Sequence, residues 1–114
     1  MSLGVSEAVE ISKFVIDSQA LKTLVLYDNK FGVEGAKALG EALRQNSVLE
    51  ELDLGCNRIR NKGARAIAQG IMGENSNSKL RVLGLKNNFI NEKGFKTFVE
   101  LFQHSFSHHD EQQM

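Results

Sequence analysis

The chain has 114 residues, which is enough for one modest domain and too few for two domains with separate cores. Hydrophobic residues make up 41% and charged residues 25% of it, a composition that argues against both wholesale disorder and a membrane protein. Its 14 basic and 14 acidic side chains balance, so no net charge attracts nucleic acid or an anionic membrane.

The location of the protein is expected to be the cytoplasm or nucleus. The start of the chain lacks a basic leader followed by an unbroken apolar stretch, which a secretory signal would need. Cys56 is the single cysteine, so it cannot form an intrachain disulfide, and this fits a reducing compartment.

The first predicted element is a helix over residues 5–18. The stretch EAVEISKFVIDSQA at 7–20 aligns 28 residues ahead of GAKALGEALRQNSV at 35–48. Ile11 and Val15 then take the places of Leu39 and Leu43. Residues 5–20 are therefore expected to be the helical half of an incomplete repeat.

Three full repeats follow, and they align almost residue for residue. They are LKTLVLYDNKFGVEGAKALGEAL from Leu21, LEELDLGCNRIRNKGARAIAQGI from Leu49 and LRVLGLKNNFINEKGFKTFVELF from Leu80. Each opens with Leu-x-x-Leu-x-Leu-x-x-Asn and carries a glycine six residues after the asparagine. The predicted repeats span 21–48, 49–79 and 80–106, within a domain at 1–106 that is followed by a polar tail at 107–114. The third repeat starts 31 residues after the second because the polar loop at 73–79 is longer.

Each repeat combines two periodicities. The last two leucines of the motif are two residues apart, so in a strand both point to one face, which is the predicted core. After the asparagine, apolar residues recur at spacings of three and four, as Phe95, Phe98 and Phe102 do in the third repeat. Each repeat is therefore predicted to be a short strand, a turn and a helix of about three turns.

This pattern resembles the leucine-rich repeat family, in its ribonuclease-inhibitor-like subtype. The resemblance implies an α/β solenoid of about three and a half repeats, with short parallel β-strands on the concave face and α-helices on the convex face. It also implies that Asn29, Asn57 and Asn88 bond to neighbouring backbone groups at the bend after each strand. The implied function is non-catalytic protein–protein recognition as part of a larger protein, with no cofactor.

Two alternatives stay open at this point. Proteins of this subtype include ribonuclease inhibitors, GTPase-activating proteins for Ran and the sensor regions of intracellular immune receptors, so the chain could instead regulate an enzyme or sense a ligand. A passive spacer in a larger assembly is the other alternative. Arg58 and Arg60 are the positions that a GTPase-activating role would use.

The predicted partner-binding surface consists of side chains that point away from the leucines, or that follow the strands directly. On stacked parallel strands these side chains form the concave face, where this family contacts its partners. The predicted residues are Thr23, Val25, Tyr27, Asp28, Glu51, Asp53, Cys56, Val82, Lys86 and Asn87.

The sequence favours neither catalysis nor a metal site. Carboxylates on an open face lack the burial that shifts the pKa of a general acid or base. Cys56 has no histidine near it in sequence, and His104, His108 and His109 are expected to lie in a frayed tail. A basic cluster is interpreted as a solvated loop surface, with a positive rim as the alternative, and no nucleic-acid binding is expected. Its members follow the second strand, precede it or lie in the third repeat, and they are Arg58, Arg60, Lys62, Arg65, Lys30, Lys79, Arg81, Lys86 and Lys93.

The ends of the array are expected to be open. The stretch HSFSHHDEQQM has no leucine near residue 108, so the array is predicted to stop after a helix that ends near Phe102 or Phe106. The strand edges beside 22–27 and 81–86 would then be unpaired. Self-association through these edges is therefore predicted.

Overall fold

Helices and strands alternate along the chain. The computed structural model describes the backbone of residues 2–113 and the side chains of residues 2–103. Within that range the elements are α1 (Val5–Asp17), β1 (Thr23–Val25), α2 (Gly32–Gln45), β2 (Glu51–Asp53), α3 (Arg60–Met72), β3 (Val82–Gly84) and α4 (Glu92–Gln113). The strands form one parallel sheet in the order β1-β2-β3, and each helix packs on the next. The predicted α/β solenoid is confirmed.

The strands are in register repeat by repeat, which places the motif leucines in columns. Leu24 is opposite Leu52, and Leu52 is opposite Leu83. Leu52 and Leu54 are buried against helix residues such as Leu39 and Ile67. The leucines therefore form the core, and alternate strand residues are left to face outward.

The asparagine after each strand holds neighbouring repeats together. Asn57 is fully buried, and its Nδ2 donates hydrogen bonds to the carbonyls of Leu26 at 2.8 Å and Leu54 at 3.1 Å. Asn88 is also buried, and its Oδ1 accepts hydrogen bonds from the amides of Asn57 at 2.7 Å and Ile59 at 3.3 Å. The side chains thus replace backbone partners at the bends, as the family resemblance implies.

Helices α2 and α3 pack backbone against backbone. A Cβ atom at Gly40 would lie 2.5 Å from the carbonyl oxygen of Ala66, and one at Gly70 would meet the carbonyl oxygen of Gly40. No flexible side chain is available to move away at either contact. The two glycines therefore set the distance between the helices.

Helix α4 is longer than predicted. It continues to Gln113 instead of ending near Phe102 or Phe106, because no glycine or proline follows Gly94 to stop it. The side chains of residues 104–113, and all of Met114, lie outside the described part of the chain. The polar tail at 107–114 and its histidines therefore stay predictions.

The apolar stripe predicted for α4 is only partly a core stripe. Phe98 packs against the core, whereas Phe95 is 46% exposed and Phe102 is 62% exposed. The difference arises because the matching residues of α2 and α3 are covered by the next helix, whereas no helix follows α4 within the described residues. Among the described helices, none has the length and apolar character needed to cross a bilayer.

Candidate partner-binding surface

Seven of the ten predicted residues line one hollow on the strand side of the molecule. This hollow, called the concave hollow below, has a volume of about 350 Å³. The strands bring the seven residues together because their register aligns equivalent positions of the three repeats. The seven are Thr23, Val25, Tyr27, Glu51, Asp53, Val82 and Lys86.

The concave hollow combines exposed apolar groups with fixed polar ones. Val25 is 64% exposed and Val82 is 47% exposed, on either side of the acidic β2. Glu51 accepts a 3.0 Å hydrogen bond from the Thr23 hydroxyl, and this fixes one carboxylate oxygen. Asp53 Oδ1 accepts a 2.9 Å hydrogen bond from the amide of Gly55. A partner would therefore meet apolar side chains with oriented carboxylates between them.

Tyr27 lies across the end of β2 because Gly55 leaves space for its ring. A Cβ atom at Gly55 would lie 2.6 Å from the Tyr27 Cδ2 atom. The Tyr27 side chain remains 47% exposed, and its Oη is 3.2 Å from the Sγ of Cys56, within hydrogen-bond range. Tyrosine is a frequent interface anchor because it buries a large rigid surface and keeps a polar tip.

The contact with Cys56 further disfavours ionisation of the Tyr27 phenol. The hydrogen bond to Cys56 raises the pKa of Tyr27 above its ordinary value, and the charges of Asp28 and Asp53 add to the effect because they oppose a phenolate. The phenol thus presents a neutral hydroxyl to a partner at any physiological pH.

The other three predicted residues lie beside the concave hollow. Asp28, Cys56 and Asn87 line a second hollow of about 290 Å³, together with Lys30, Arg58 and Phe89. These six residues are called the loop ledge below. The contact between Tyr27 and Cys56 joins the two hollows, so the ten predicted residues form one continuous surface.

The loop ledge owes its shape to a turn that recurs after each strand. Asp28, Cys56 and Asn87 occupy the same position in successive repeats, and all three have positive φ angles, of 62°, 55° and 57°. Aspartate and asparagine tolerate this left-handed conformation, whereas it costs cysteine on the order of 1 kcal/mol. Because the same turn recurs in each repeat, the side chains of these three residues point to the same side of the molecule and form the loop ledge.

Phe89 is the surface residue that the sequence interpretation missed. Its side chain is 69% exposed, and the guanidinium of Arg60 lies 5.3 Å from the centre of its ring. The matching positions hold Lys30 and Arg58, so a phenylalanine at a position otherwise occupied by cations was the available signal.

The predicted basic cluster is divided by the structure. Lys30 and Arg58 lie on the loop ledge. Arg81 directly precedes β3 and so lies at the opposite ends of the strands. There Glu50 is 3.6 Å from Arg81 and 3.7 Å from Lys22, and both pairs are exposed. Such pairs contribute little to stability in water, so they mainly neutralise Glu50.

The chemical groups on this surface are those of a recognition site. In the part of the chain with described side chains, no three His, Cys, Asp or Glu residues lie close enough together to hold a metal ion. What the two hollows present is an aromatic anchor, two valines, oriented carboxylates and several cations. These groups suit contact with another protein.

Known proteins share the repeat pattern. A family model described as Leucine Rich repeat matches residues 17–40 and 45–68, which cover β1 and β2 and most of α2 and α3. The chain contains leucine-rich repeats. These leucine-rich repeats are typical of protein-interaction modules. Which subtype they belong to stays a prediction.

One relative of this leucine-rich repeat chain is RAN GTPase-activating protein 2 from Arabidopsis thaliana. The two sequences are 33% identical over 104 residues, which are 90% of this chain and 18% of the relative. The chain therefore spans less than a fifth of the length of that protein.

A solved structure titled leiomodin-1 actin-binding site 2 has the same fold. It superposes with a TM-score of 0.62 over 97% of this chain and 79% of the other, at 15% sequence identity. At that identity the similarity extends to the fold of the leucine-rich repeats alone.

Proposed function

We propose that this chain is a non-catalytic protein-interaction module of a larger leucine-rich repeat protein, and that it binds a partner through the concave hollow and the loop ledge. The observation that carries the proposal is the continuity of the two hollows, which join ten residues of one face through Tyr27 and Cys56. Rigid strands hold these residues in place, so little entropy is lost when a partner binds.

The chemistry of the surface specifies the kind of segment that it accepts. Val25 and Val82 favour apolar side chains, and Glu51 and Asp53 lie between them. The partner segment is therefore proposed to carry a basic residue flanked by apolar ones. Lys86, at the side of the hollow nearest the loop ledge, favours an acidic group at one end of that segment.

The proposal predicts that reversing the charge of the concave hollow abolishes partner binding. The test variant combines Glu51→Lys with Asp53→Asn, because asparagine retains the Oδ1 atom that accepts the hydrogen bond from Gly55. The matched control combines Glu10→Lys with Glu34→Gln, which makes the same change of charge on exposed side chains of α1 and α2. The wild-type chain and both variants are each used to capture proteins from an extract of the source cells, and the captured proteins are compared.

The expected result is a set of proteins that the wild-type chain and the control retain and the test variant loses. A loss of at least tenfold is expected, because a like charge opposed to a basic residue replaces an attraction. Both variants should unfold at the wild-type temperature. A partner retained equally by the test variant, or lost only from the control, would refute binding through the concave hollow.

Regulation of a GTPase is the second candidate function, and the relative is the observation that favours it. Arg58 lies exposed on the loop ledge, where it could approach a bound protein. The assay is GTP hydrolysis by Ran with and without the chain. We expect the rate to be unchanged, and an acceleration that Arg58→Ala removes would instead support the regulatory function.

The location inside the cell also stays a proposal. The support for a cytoplasmic or nuclear site is that the only thiol, Cys56, is free and half-buried. Self-association through the strand edges is likewise proposed, and it does not involve the concave hollow.

A further inference from the structure

The outer edge of β3 carries backbone groups that pair with no described residue. The carbonyls of Gly84 and Lys86 accept hydrogen bonds from the preceding repeat, both at 2.8 Å, and so point toward β2. Successive residues of an extended chain direct their backbone groups to opposite edges, so those of Leu83 and Leu85 point the other way. β3 is the last strand in the order of the sheet. Leu83 and Leu85 therefore present two donors and two acceptors at an open edge.

Helix α4 has large apolar side chains at positions where the other helices have small ones. Phe95 is 46% exposed and Val99 is 54% exposed. Their equivalents in α2, Ala36 and Gly40, are buried and lie against α3. The equivalents in α3 are alanines, and both are buried as well. A helix that covers α4 must therefore lie farther away than α3 lies from α2, and it must supply apolar side chains to fill the space.

An apolar hollow lies between the open edge of β3 and the exposed side of α4. This hollow, called the end hollow below, has a volume of about 930 Å³, and its apolar lining includes Leu83, Leu85, Ile90, Phe95 and Phe98. An exposed apolar surface beside an unpaired strand edge marks an interaction site, because covering it removes apolar groups from water and satisfies backbone groups.

We propose that two copies of this chain form a closed dimer through their end hollows, with β3 antiparallel to β3 and α4 antiparallel to α4 about one two-fold axis. β3 and α4 belong to the same repeat and are the last strand and the last helix described. They lie at the same level of the stack, so one rotation brings the strands together and the helices together. This dimer specifies the surface for the self-association proposed above, and it is independent of binding to another protein.

The edge of β3 is complementary to itself. With Gly84 on the two-fold axis, Leu83 of one copy lies opposite Leu85 of the other, and each such pair exchanges two hydrogen bonds in an antiparallel ladder. Both donors and both acceptors of each copy are then used. On the concave side, Val82 lies opposite Lys86 of the second copy, so no like charges meet.

The exposed side of α4 has the same two-fold complementarity. With the axis beside Val99, Phe95 of one helix lies close to Phe102 of the other, and Phe102 is 62% exposed. Lys96 and Glu100 form an exposed pair in the same part of α4, with 3.7 Å between Nζ and Oε1. The antiparallel arrangement brings Lys96 of each copy close to Glu100 of the other. A second copy therefore supplies both the apolar groups and the opposite charges that this surface requires.

Sedimentation velocity of the full chain over a range of concentrations tests the dimer. The wild-type chain should pass from monomer to dimer and grow no further, because a two-fold junction uses the same surface on both copies. Val99→Glu should weaken association at least tenfold, since it places two carboxylates side by side at the axis. Phe14→Glu, at a 61% exposed position of α1, is the matched control and should dimerise like the wild-type chain. Both variants should unfold at the wild-type temperature.

An exchange of charges tests the antiparallel arrangement of α4. Lys96→Glu and Glu100→Lys should each dimerise about fivefold more weakly than the wild-type chain, because like charges then face each other. An equal mixture of the two should recover the wild-type strength, since the charges are again opposite across the junction. Lys37→Glu and Glu34→Lys make the same changes to an exposed pair on α2 and serve as the matched control. Their mixture should dimerise no more strongly than either variant alone.

Each contrary result would overturn a stated part of the proposal. A wild-type monomer at every concentration would exclude the dimer, and growth beyond a dimer would exclude a closed two-fold junction. Dimerisation of Val99→Glu at the wild-type strength, or its loss in Phe14→Glu, would exclude the end hollow. A mixture of Lys96→Glu and Glu100→Lys that is no stronger than either alone would exclude the antiparallel packing of α4. None of these variants alters the concave hollow, so failure here leaves the proposed partner binding untouched.

Discussion

Replacing Asn88 with alanine is expected to lower the free energy of unfolding by about 3 kcal/mol. The Asn88 side chain is buried and uses both ends of its amide. Its Oδ1 accepts from the amides of Asn57 and Ile59, and its Nδ2 donates to the carbonyl of Leu54 at 2.8 Å. Alanine would leave these backbone groups buried without a partner, and each such group costs about 1–3 kcal/mol.

Asn87→Ala is the matched control for this prediction. Asn87 is adjacent and exposed, and its side chain makes no hydrogen bond to another described residue. Both variants are unfolded in urea, and the midpoints are compared with that of the wild-type chain. The expected change for Asn87→Ala is only about 1 kcal/mol, because alanine tolerates the left-handed backbone conformation at this position less well than asparagine does. Equal losses for the two variants would show that the buried asparagine does not hold the repeats together.

Replacing Gly70 with alanine is expected to cost about 2 kcal/mol, although alanine is the better helix former. The added Cβ would meet the carbonyl oxygen of Gly40, and it would be 2.8 Å from the Gly40 carbonyl carbon. Only a separation of α2 from α3 relieves this contact, and such a separation loosens the packing of Leu39 and Ile67. Thermal unfolding followed by circular dichroism measures the loss.

Gln69→Ala tests whether the effect belongs to the contact or to the helix. Gln69 is exposed on the same helix, so alanine should leave the stability unchanged or raise it slightly. A Gly70→Ala variant that is as stable as Gln69→Ala would contradict the close packing of α2 and α3.

Much of the fold follows from the repeat. Leucines two residues apart place one face of each strand in the core, and apolar spacings of three and four define the helices. The parallel register then follows because each repeat stacks on its neighbour in the same orientation. For this reason the ten surface residues could be chosen from equivalent positions before their distances were known.

Other features depend on the ends of the array and on local geometry, which a repeat pattern does not contain. The length of α4 depends on the absence of any stop signal after Gly94. The predicted end of this helix is too early because it comes from the alignment with the shorter helices of the other repeats. The exposure of Phe95 and Phe102 results from the lack of a following repeat within the described residues. The left-handed conformation of Cys56 is set by its neighbours in the turn, since cysteine itself does not favour it.

For the candidate site too, the repeat pattern predicts positions but not side-chain contacts, as Phe89 shows. Its repeat position predicts an exposed loop residue, but its contact with Arg60 depends on side-chain directions after the turn. Likewise, the contact of Tyr27 with Cys56 requires the space left by Gly55, which is a glycine in this repeat and lysine in the next.

The central claim is that a partner contacts the concave hollow, and photo-crosslinking tests it most directly. A photoreactive amino acid replaces Val25, whose side chain is 64% exposed in the hollow, or Lys37, which is exposed on the convex side of α2. Irradiation in an extract of the source cells should give an adduct to another protein from position 25 and none from position 37. An adduct from position 37 alone would contradict the claim, as would adducts from position 25 that contain only a second copy of this chain.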